Sequence, residues 1–380
     1  MPNSDVARSK NPTASGRLSE LDWLRVLLVF AVFLHHVGMP FNGDDWIIMN
    51  ESSSKALDDF MVYFEQFRLP TLFLIAGVGA NIVLNRKRPF AFLIDKVKRL
   101  LIPLCVGILL INPPQQYFKN PADLNSLIGA YPELALRFES MHLWFIEYLF
   151  VFSLLAVPSF FMLKRKIGTR FVSLLEFVAH KWWGLLSLGI ALAILRTTLK
   201  IPFPSDSHGI ENLSSSLFYF FFFLMGMFLS QKPEIWQRLG ASWKLHTVSF
   251  AVLSAVFYFY YFVDFGAFAS TETLWSIWWA VCSVLAWSAS LCFLGLAQKF
   301  LTHTPDWLIK ANTLIYPFYI LHQTVIVICA FYIVQWTANI GIKLMALFFL
   351  SFMITSLICA LVIYPFNIMR FLFGLKPKLS

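Results

Sequence analysis

Charge is scarce in this chain. Only 13% of its 380 residues are charged, whereas 58% are hydrophobic and 17% are aromatic; soluble domains carry roughly 25% charged residues. Such a composition leaves too little polar surface to cover the apolar side chains of a soluble fold. It therefore excludes a soluble domain and indicates an integral membrane protein.

Cysteine is also rare, and its placement excludes two further classes of protein. All five cysteines lie within apolar runs, and none has the paired spacing of a metal site. We interpret them as small core residues, so neither a disulfide framework nor a metal site is expected. The cysteines are Cys105, Cys282, Cys292, Cys329 and Cys359.

Long apolar runs fill the chain. A Ser19-x-x-Asp22 capping signal opens the first run. Each run is near the roughly 17 to 25 residues of a membrane-spanning helix, except the third and the fifth, which are shorter. The sequence therefore predicts an all-α, polytopic membrane helical bundle of about ten transmembrane helices. The runs cover about residues 21–39, 60–84, 100–111, 142–163, 182–197, 213–230, 246–266, 273–298, 312–335 and 342–366.

The net charge of +9 is concentrated in alternate loops. Clusters such as Arg86-Lys87-Arg88 fall on the side of both termini, whereas the first loop on the opposite side is acidic. This positive-inside pattern predicts cytoplasmic termini and a multi-pass protein of the cell inner (plasma) membrane, and it gives no reason to expect nucleic acid as a partner. We expect a disordered cytoplasmic tail over residues 1–18, one membrane domain over 19–373 and a cytoplasmic tail over 374–380.

One arginine and two histidines interrupt the first apolar run. Arg25 and His36 are eleven helical positions apart, so they share one face about 16 Å apart, while His35 points to the side. An ionisable residue inside a bilayer is costly and indicates a functional site that faces the protein interior or a water-filled cavity. The alternative is that Arg25 snorkels to the interface and the histidines cap a helix end.

Ionisable residues fall at similar membrane depth in the second and fourth runs. Arg68 lies near mid-membrane, and Glu147 lies a turn or two inside the fourth run, whose outer mouth carries His142. A buried arginine needs an anion, for which Glu147 and Glu65 are nearest by depth. The alternative is a structural network of ion pairs and hydrogen bonds that holds the bundle together.

The ninth run carries a stripe of Tyr316, Tyr319 and His322 on one face, because these residues are three positions apart. We expect His322 to reach the depth of His36. The other histidines lie in loops or at helix ends and are expected to be solvated, and the Asn112-Pro113-Pro114 sequence shows no evident reaction. These histidines are His180, His208, His246 and His303.

Residues 86–99, between the second and third runs, alternate cations with apolar side chains. This pattern is typical of a helix that lies on anionic lipid. The alternative is that the same cations meet the phosphates of a cytosolic donor. Arg99, at the start of the third run, is the residue for which we favour that alternative.

Several of these stretches resemble one known family, in the family's order. Leu21-Asp22-Trp23-Leu24-Arg25, followed ten residues later by His36, resembles the Arg-x10-His signature of the acyltransferase family 3 membrane proteins, which move acyl groups onto cell-envelope carbohydrates. Three segments most resemble the branch of this family that succinylates osmoregulated periplasmic glucans: Phe67-Arg68-Leu69-Pro70, His142-Leu143-Trp144-Phe145 and the ending Phe371-Leu372-Phe373-Gly374-Leu375-Lys376. Ala76 departs from the family's usual serine, which puts a hydroxyl role there in doubt. Besides the Arg-x10-His stretch, four segments resemble family motifs, and they cover residues 67–77, 98–103, 142–145 and 316–323.

The resemblance implies an integral membrane O-acyltransferase that moves an acetyl or succinyl group from cytosolic acyl-CoA to a hydroxyl of a cell-envelope or periplasmic glycan. His36 would act as a base or as a transient acyl acceptor. Arg25, with Arg99 as helper, would hold a CoA phosphate, and Arg68 would bind a donor carboxylate or stabilise the oxyanion. Acyl-CoA is a co-substrate, and no cofactor is expected.

The expected partners are acyl-CoA, an envelope carbohydrate and the lipid bilayer. Two alternatives from other classes remain: a transporter or flippase of a glycan or lipid precursor, and a sensor or scaffold whose polar residues only hold helices together. Consumption of acyl-CoA would separate the enzyme from both. The expected catalytic residues are His36, Arg25, Arg68 and His322. The expected substrate-binding residues are Arg99, Tyr316, Tyr319, His142, Trp144, Glu147 and His35.

Overall fold

The structure, a computed structural model, describes residues 18–120, 126–205 and 207–378, and the regular elements within these ranges are all helical. Apart from Leu18, the predicted N-terminal tail lies outside the described residues. The α-helices are α1 (Ser19–Asn42), α2 (Lys55–Leu84), α3 (Pro89–Lys96), α4 (Ile102–Val106), α5 (Pro113–Lys119), α6 (Leu127–Leu136), α7 (Trp144–Lys164), α8 (Lys166–Ala179), α9 (Gly184–Lys200), α10 (Leu213–Leu229), α11 (Pro233–Ala241), α12 (Trp243–Phe262), α13 (Thr271–Phe300), α14 (Asp306–Ile333), α15 (Ile340–Ile358) and α16 (Asn367–Leu372).

The predicted all-α membrane bundle is confirmed, with a smaller number of full-length spans. Within the described ranges, seven helices are long and apolar enough to cross a membrane, and α10 with α11 would make an eighth across a bend of 108°. All ten apolar runs are helical, but α9 and α10 have only 17 residues each. The third run is divided between α4 and the π-helical turns Val97–Leu101 and Gly107–Ile111. Pro103 within it lacks the N–H that a regular α-helix needs.

Helix α2 is central to the bundle and packs against α1, α7, α10 and α13. It crosses α10 backbone to backbone: a Cβ on Gly77 would lie 1.9 Å from the carbonyl oxygen of Phe223, and one on Gly226 would lie 2.0 Å from that of Leu74. Only glycine permits this approach, which is the usual close contact of membrane helices. The crossing fixes the helix that carries Arg68.

Helix α1 packs against both α2 and α14. Phe33 of α1 is fully buried, and its ring lies edge-on to that of Phe318 in α14, with centroids 5.3 Å apart. His36 follows Phe33 by three residues and His322 follows Phe318 by four, so each histidine lies one helical turn beyond this aromatic contact. The packing of α1 on α14 therefore brings His36 and His322 together.

Candidate active site

Two cavities of different chemistry open into the helix bundle. The first, which we name the basic cavity, has a volume of about 740 Å³ and is lined by six cationic side chains. The second, the histidine cavity, has a volume of about 440 Å³ and is lined by four histidines. Tyr319 lines both cavities and so belongs to their common wall. The cations are Arg25, Lys87, Lys96, Arg99, Arg370 and Lys376. The histidines are His35, His36, His142 and His208.

Three histidine rings meet at the wall of the histidine cavity. The ring centroid of His322 lies 5.0 Å from that of His36 and 5.4 Å from that of His142. His36 and His142 line the cavity, whereas His322 is fully buried behind them. The sequence thus correctly predicted that His36 and His322 share one depth, and His322 is placed to act on His36.

The hydrogen bonds define which nitrogen of each neutral ring carries the proton. Nδ1 of His322 lies 2.6 Å from the backbone oxygen of Tyr319, which can only accept, so Nδ1 is the protonated nitrogen. Nε2 of His322 is then an acceptor, and Nδ1 of His36, 2.8 Å away, donates to it. Nε2 of His36 is left with its lone pair. An imidazole in this state is both a base and a nucleophile.

His142, unlike His36, has protein partners at both of its ring nitrogens. Its Nε2 lies 3.1 Å from the backbone oxygen of Ile320, and its Nδ1 lies 3.4 Å from Nε2 of Gln115. The hydroxyl of Tyr319 donates to the backbone oxygen of His142 over 2.5 Å. These bonds fix the start of α7 against α14, so His142 and Tyr319 hold the wall between the cavities in place.

A buried amide network supports this wall from behind. Gln115 and Asn112 are fully buried. Nε2 of Gln115 donates to Oγ1 of Thr324 over 2.6 Å, and its Oε1 accepts from Nε2 of Gln323 over 3.0 Å. Nδ2 of Asn112 donates to the backbone oxygen of Glu139 over 2.8 Å. Asn112-Pro113-Pro114 therefore joins the third run to the loop before His142, a role that the sequence did not reveal.

Arg68 is buried with part of its hydrogen-bonding capacity unused. Its side chain is 7% exposed and lines the histidine cavity, and its Nε and one terminal nitrogen have no hydrogen-bond partner among the described residues. Glu65 lines the same cavity, but the described residues show no ion pair within 4 Å between it and Arg68. Glu147 is half-buried and lines neither cavity. The guanidinium is thus available to a ligand in the cavity.

Aromatic rings make up much of the remaining wall of the histidine cavity. His208 lies flat on Trp144, with ring centroids 4.4 Å apart and planes 8° apart. The prediction that His246 is solvated was wrong, because it is 1% exposed near the start of α12, which packs on α13. His208 is exposed, as predicted, although its ring packs on this indole. The aromatic lining residues are Trp46, Trp144, Phe218, Tyr219, Trp278, Trp279 and Tyr319.

In the basic cavity, Arg25 is held by two neighbours. Its terminal nitrogen donates to Oδ1 of Asp22 over 3.2 Å and to Oδ1 of Asn312 over 3.1 Å. Asn312 in turn donates to Asp22 over 2.8 Å. The side chain of Arg25 remains 37% exposed. Asp22 and Asn312 thus position Arg25, the arginine of the Arg-x10-His pattern, and leave its side chain partly exposed.

Three cations of the 86–99 segment reach the basic cavity, namely Lys87, Lys96 and Arg99. Lys87 forms an ion pair with Asp95. Lys96 is half-buried, and desolvation together with the nearby Arg99 and Arg25 cations lowers its pKa to about 8. The sequence analysis favoured phosphate contact only for Arg99 of this segment. The structure places Lys87 and Lys96 at the same cavity as well.

The predicted site residues are divided between the two cavities. Arg25, Arg99 and Tyr316 line the basic cavity, and the sequence analysis did not identify Asn312, Arg370 or Lys376 beside them. The other predicted residues, apart from Glu147, line the histidine cavity or lie directly behind it. Arg196 also lines that cavity. An arginine near the outer end of the fifth apolar run was the signal that could have identified it.

Comparison with known proteins places this architecture in one class. A family profile described as an acyltransferase domain matches residues 18–365, and the chain belongs to this family, acyltransferase family 3. The protein thus combines an acyltransferase-family domain with several helices that are long and apolar enough to cross a membrane.

Curated relatives give a second level of similarity. The chain is 29% identical over 227 residues to "Glucans biosynthesis protein C" of Escherichia coli strain K12 and to the protein of that name from Escherichia coli O1:K1 / APEC. Each alignment covers 57% of this chain and 59% of the relative, so less than two thirds of the relative's length is matched. No solved structure shows significant similarity to the chain.

Proposed function

We propose that this protein transfers an acyl group from acyl-CoA to a hydroxyl of an envelope glycan, from its place in the cell inner membrane. The observation that carries the proposal is that a cavity lined by cations and a cavity lined by histidines meet at Tyr319. The first suits a phosphorylated donor and the second suits proton transfer from a hydroxyl. The positive-inside charge pattern supports a cytoplasmic position for the basic cavity, on the side where acyl-CoA is found.

Arg25 and Arg99 bind the phosphates of the donor in this proposal. Both line the basic cavity, and Arg25 is pre-positioned by Asp22 and Asn312. Along helix α1, Arg25 and His36 are about 16 Å apart. This is about the length of an extended pantetheine arm. A donor held at Arg25 would thus present its thioester near His36.

His36 is the general base. Its Nε2 takes the proton of the acceptor hydroxyl while the hydroxyl oxygen attacks the thioester carbonyl, and the CoA thiolate leaves and takes up a proton. His322 positions the imidazole, because Nδ1 of His36 donates to Nε2 of His322 over 2.8 Å. A transient acyl-imidazole would use the same nitrogen. If the protein becomes labelled when donor is present without acceptor, the reaction proceeds through this covalent intermediate and not by direct transfer.

Arg68 stabilises the oxyanion that forms when the hydroxyl attacks. Its Nε and one terminal nitrogen lack partners among the described residues, and buried donors held in place act most strongly on developing charge. If Arg68 has this role, Arg68→Gln lowers kcat for acetyl-CoA and succinyl-CoA alike, by about 10² to 10³-fold. A loss confined to succinyl-CoA would instead assign Arg68 to the donor carboxylate.

A carbohydrate acceptor fits the histidine cavity. Pockets for neutral polar ligands combine aromatic walls with a few well-placed polar groups, and this cavity has seven aromatic lining residues beside Arg196, Asp44 and Glu65. The name of the relatives, glucans biosynthesis protein C, supports a glucan-type acceptor.

The experiment is transfer of radiolabel from acetyl-CoA and succinyl-CoA, separately, to envelope carbohydrate in inverted membrane vesicles. His36→Ala should lose transfer by at least about 10²-fold, whereas His180→Ala, an exposed histidine outside both cavities, should retain it. Gel filtration of both variants in detergent checks that they are folded. Equal transfer by the His36 variant would overturn the catalytic assignment. Absence of any label transfer by the native protein from either donor would favour a transporter.

A further inference from the structure

The last described residues form a tight turn that returns toward the bundle. After α16, Gly374 has a φ of +73°, and the amide of Leu375 donates to the carbonyl oxygen of Arg370 over 2.7 Å. The amide of Gly374 donates to the carbonyl oxygen of Phe371 over 3.1 Å. This is a Schellman-type helix ending, in which glycine supplies the left-handed residue. We name residues 370–376 the C-terminal segment.

The C-terminal segment packs closely against the wall of the basic cavity. A Cβ on Gly374 would lie 2.8 Å from the backbone oxygen of Arg99, 2.8 Å from Cε1 of Tyr316 and 3.1 Å from Cγ of Pro103. A side chain at this position is therefore opposed both by the neighbouring atoms and by the positive φ. Gly374 is the point at which the segment rests on the third run and α14.

Arg370 fixes the end of the C-terminal segment. It is 7% exposed, its Nε donates to the backbone oxygen of Lys376 over 2.7 Å, and a terminal nitrogen donates to the backbone oxygen of Tyr364 over 3.2 Å. Its guanidinium also lies over the Tyr364 ring, 5.0 Å from the centroid. Arg370 is thus a positioning residue, and the residue whose backbone it holds is Lys376.

The C-terminal segment contributes charge to the basic cavity. Arg370, Gly374, Leu375 and Lys376 all line it. Of the described residues that line this cavity, Asp95 is the one carboxylate, and it is already paired with Lys87. An exposed lysine on a fixed backbone at this rim is suited to a phosphate group.

We propose that the C-terminal segment is a built part of the donor site, in which Lys376 binds a phosphate of CoA and Gly374 and Arg370 hold Lys376 in place. The inference rests on the proposed function for the identity of the donor. In this proposal, the C-terminal segment forms a further wall of the donor site that contains Arg25 and Arg99. The segment then helps to determine the affinity of the site for polyanionic donors.

The first test is direct binding of CoA to the purified, full-length protein in detergent, compared with binding of pantetheine, which lacks the phosphates. Lys376→Gln should weaken CoA binding about fivefold to tenfold and leave pantetheine binding unchanged. Lys378→Gln is the matched control, because Lys378 is also an exposed lysine, lies two residues further on over the Tyr364 ring and does not line the cavity. Equal effects of the two substitutions on CoA would overturn the proposal.

The second test addresses the docking of the segment. Gly374→Ala should weaken CoA binding at least as much as Lys376→Gln, because the added Cβ displaces the segment from Arg99 and Tyr316. Gly79→Ala is the control for helix and membrane insertion, since a Cβ there meets no atom within 4 Å. Unchanged CoA binding by a folded Gly374→Ala protein would contradict a built wall.

The two proposals fail in different ways. Binding of CoA that depends on Lys376, in a protein that transfers no label, would support the C-terminal segment and overturn the acyltransfer mechanism. Label transfer with the same KM for acyl-CoA in native protein and in Lys376→Gln would support the mechanism and overturn the role of the segment. If the native protein binds no CoA, the inference is wrong.

Discussion

The basic cavity and the histidine cavity share the Tyr319 wall, but their lining residues suit different kinds of ligand. Six cationic side chains line the basic cavity, whereas Asp95 is the one carboxylate among its described lining residues. The histidine cavity mixes signs, with Arg68 and Arg196 beside Glu65 and Asp44, and it has most of the aromatic surface. A strong field of one sign favours a polyanion, whereas a mixed polar and aromatic wall favours a neutral, hydroxyl-rich ligand.

Under the proposed function, this difference predicts that donor affinity and bond chemistry are separable. Substitutions in the basic cavity should raise the KM for the donor, because they act on phosphates that do not react. Substitutions around His36 should lower kcat, because they act on the proton that moves. The following predictions sharpen or break this division.

Among these further predictions, the largest effect is expected from His322, which lies behind His36. His322→Ala removes the acceptor of the His36 Nδ1 proton and should lower kcat about 10²-fold, with little change in the KM for acyl-CoA. His322→Gln should recover part of the loss, since its side-chain oxygen can accept the same bond. Steady-state kinetics with both variants checks this. A higher donor KM at unchanged kcat would break the division between the cavities.

A smaller effect is expected on the acceptor side. Trp144→Ala removes the largest flat surface beside His208 and should raise the KM for the glycan acceptor about tenfold, leaving the KM for acyl-CoA unchanged. Trp182→Ala, an indole that is 75% exposed outside both cavities, is the matched control. The measurement is initial rate against acceptor concentration. An equal rise in the donor KM would show that Trp144 does not belong to an acceptor subsite.

The wall between the cavities should depend on its buried amides. Gln115→Ala removes the partner of the Gln323 amide nitrogen and one of the two partners of the Thr324 hydroxyl, and it should cost about 1–3 kcal/mol of stability, seen as a lower thermal midpoint in detergent. Gln116→Ala is its control, because the amide of Gln116 has no hydrogen-bond partner among the described residues. Equal midpoints for the two variants would mean that the network contributes nothing measurable.

The amino-acid sequence predicts the class of fold well because one energetic term dominates it. Apolar runs and the cost of charge in a bilayer indicate the helices and place Arg25, His36 and His322 correctly. The number of full spans was less predictable: π-helical turns divide the third run and a bend of 108° separates α10 from α11. These breaks arise from local backbone geometry that hydropathy does not report.

The sequence predicted the membrane depth of the residues around the histidines, but not which way their side chains face. Glu147 and His35 lie at suitable depths, yet His35 lines the histidine cavity and Glu147 does not. Which face of a helix meets a cavity depends on pairwise packing, such as the Gly77 crossing of α2 and α10. The approach of residues 370–376 to Arg99 is a contact across most of the chain, and no local pattern in the sequence encodes it.

The smallest predicted effect is a pH dependence in the basic cavity. Desolvation and the neighbouring Arg99 and Arg25 cations hold the pKa of Lys96 at about 8, so this side chain loses its charge between about pH 7 and pH 9. A bound polyanion favours the protonated form, so donor binding takes up a proton, and the KM for acyl-CoA should rise about threefold over this interval. Lys96→Gln should flatten the profile. Lys98→Gln, an exposed lysine that does not line the cavity, should keep it. A profile that persists without Lys96 would assign the titration to another group.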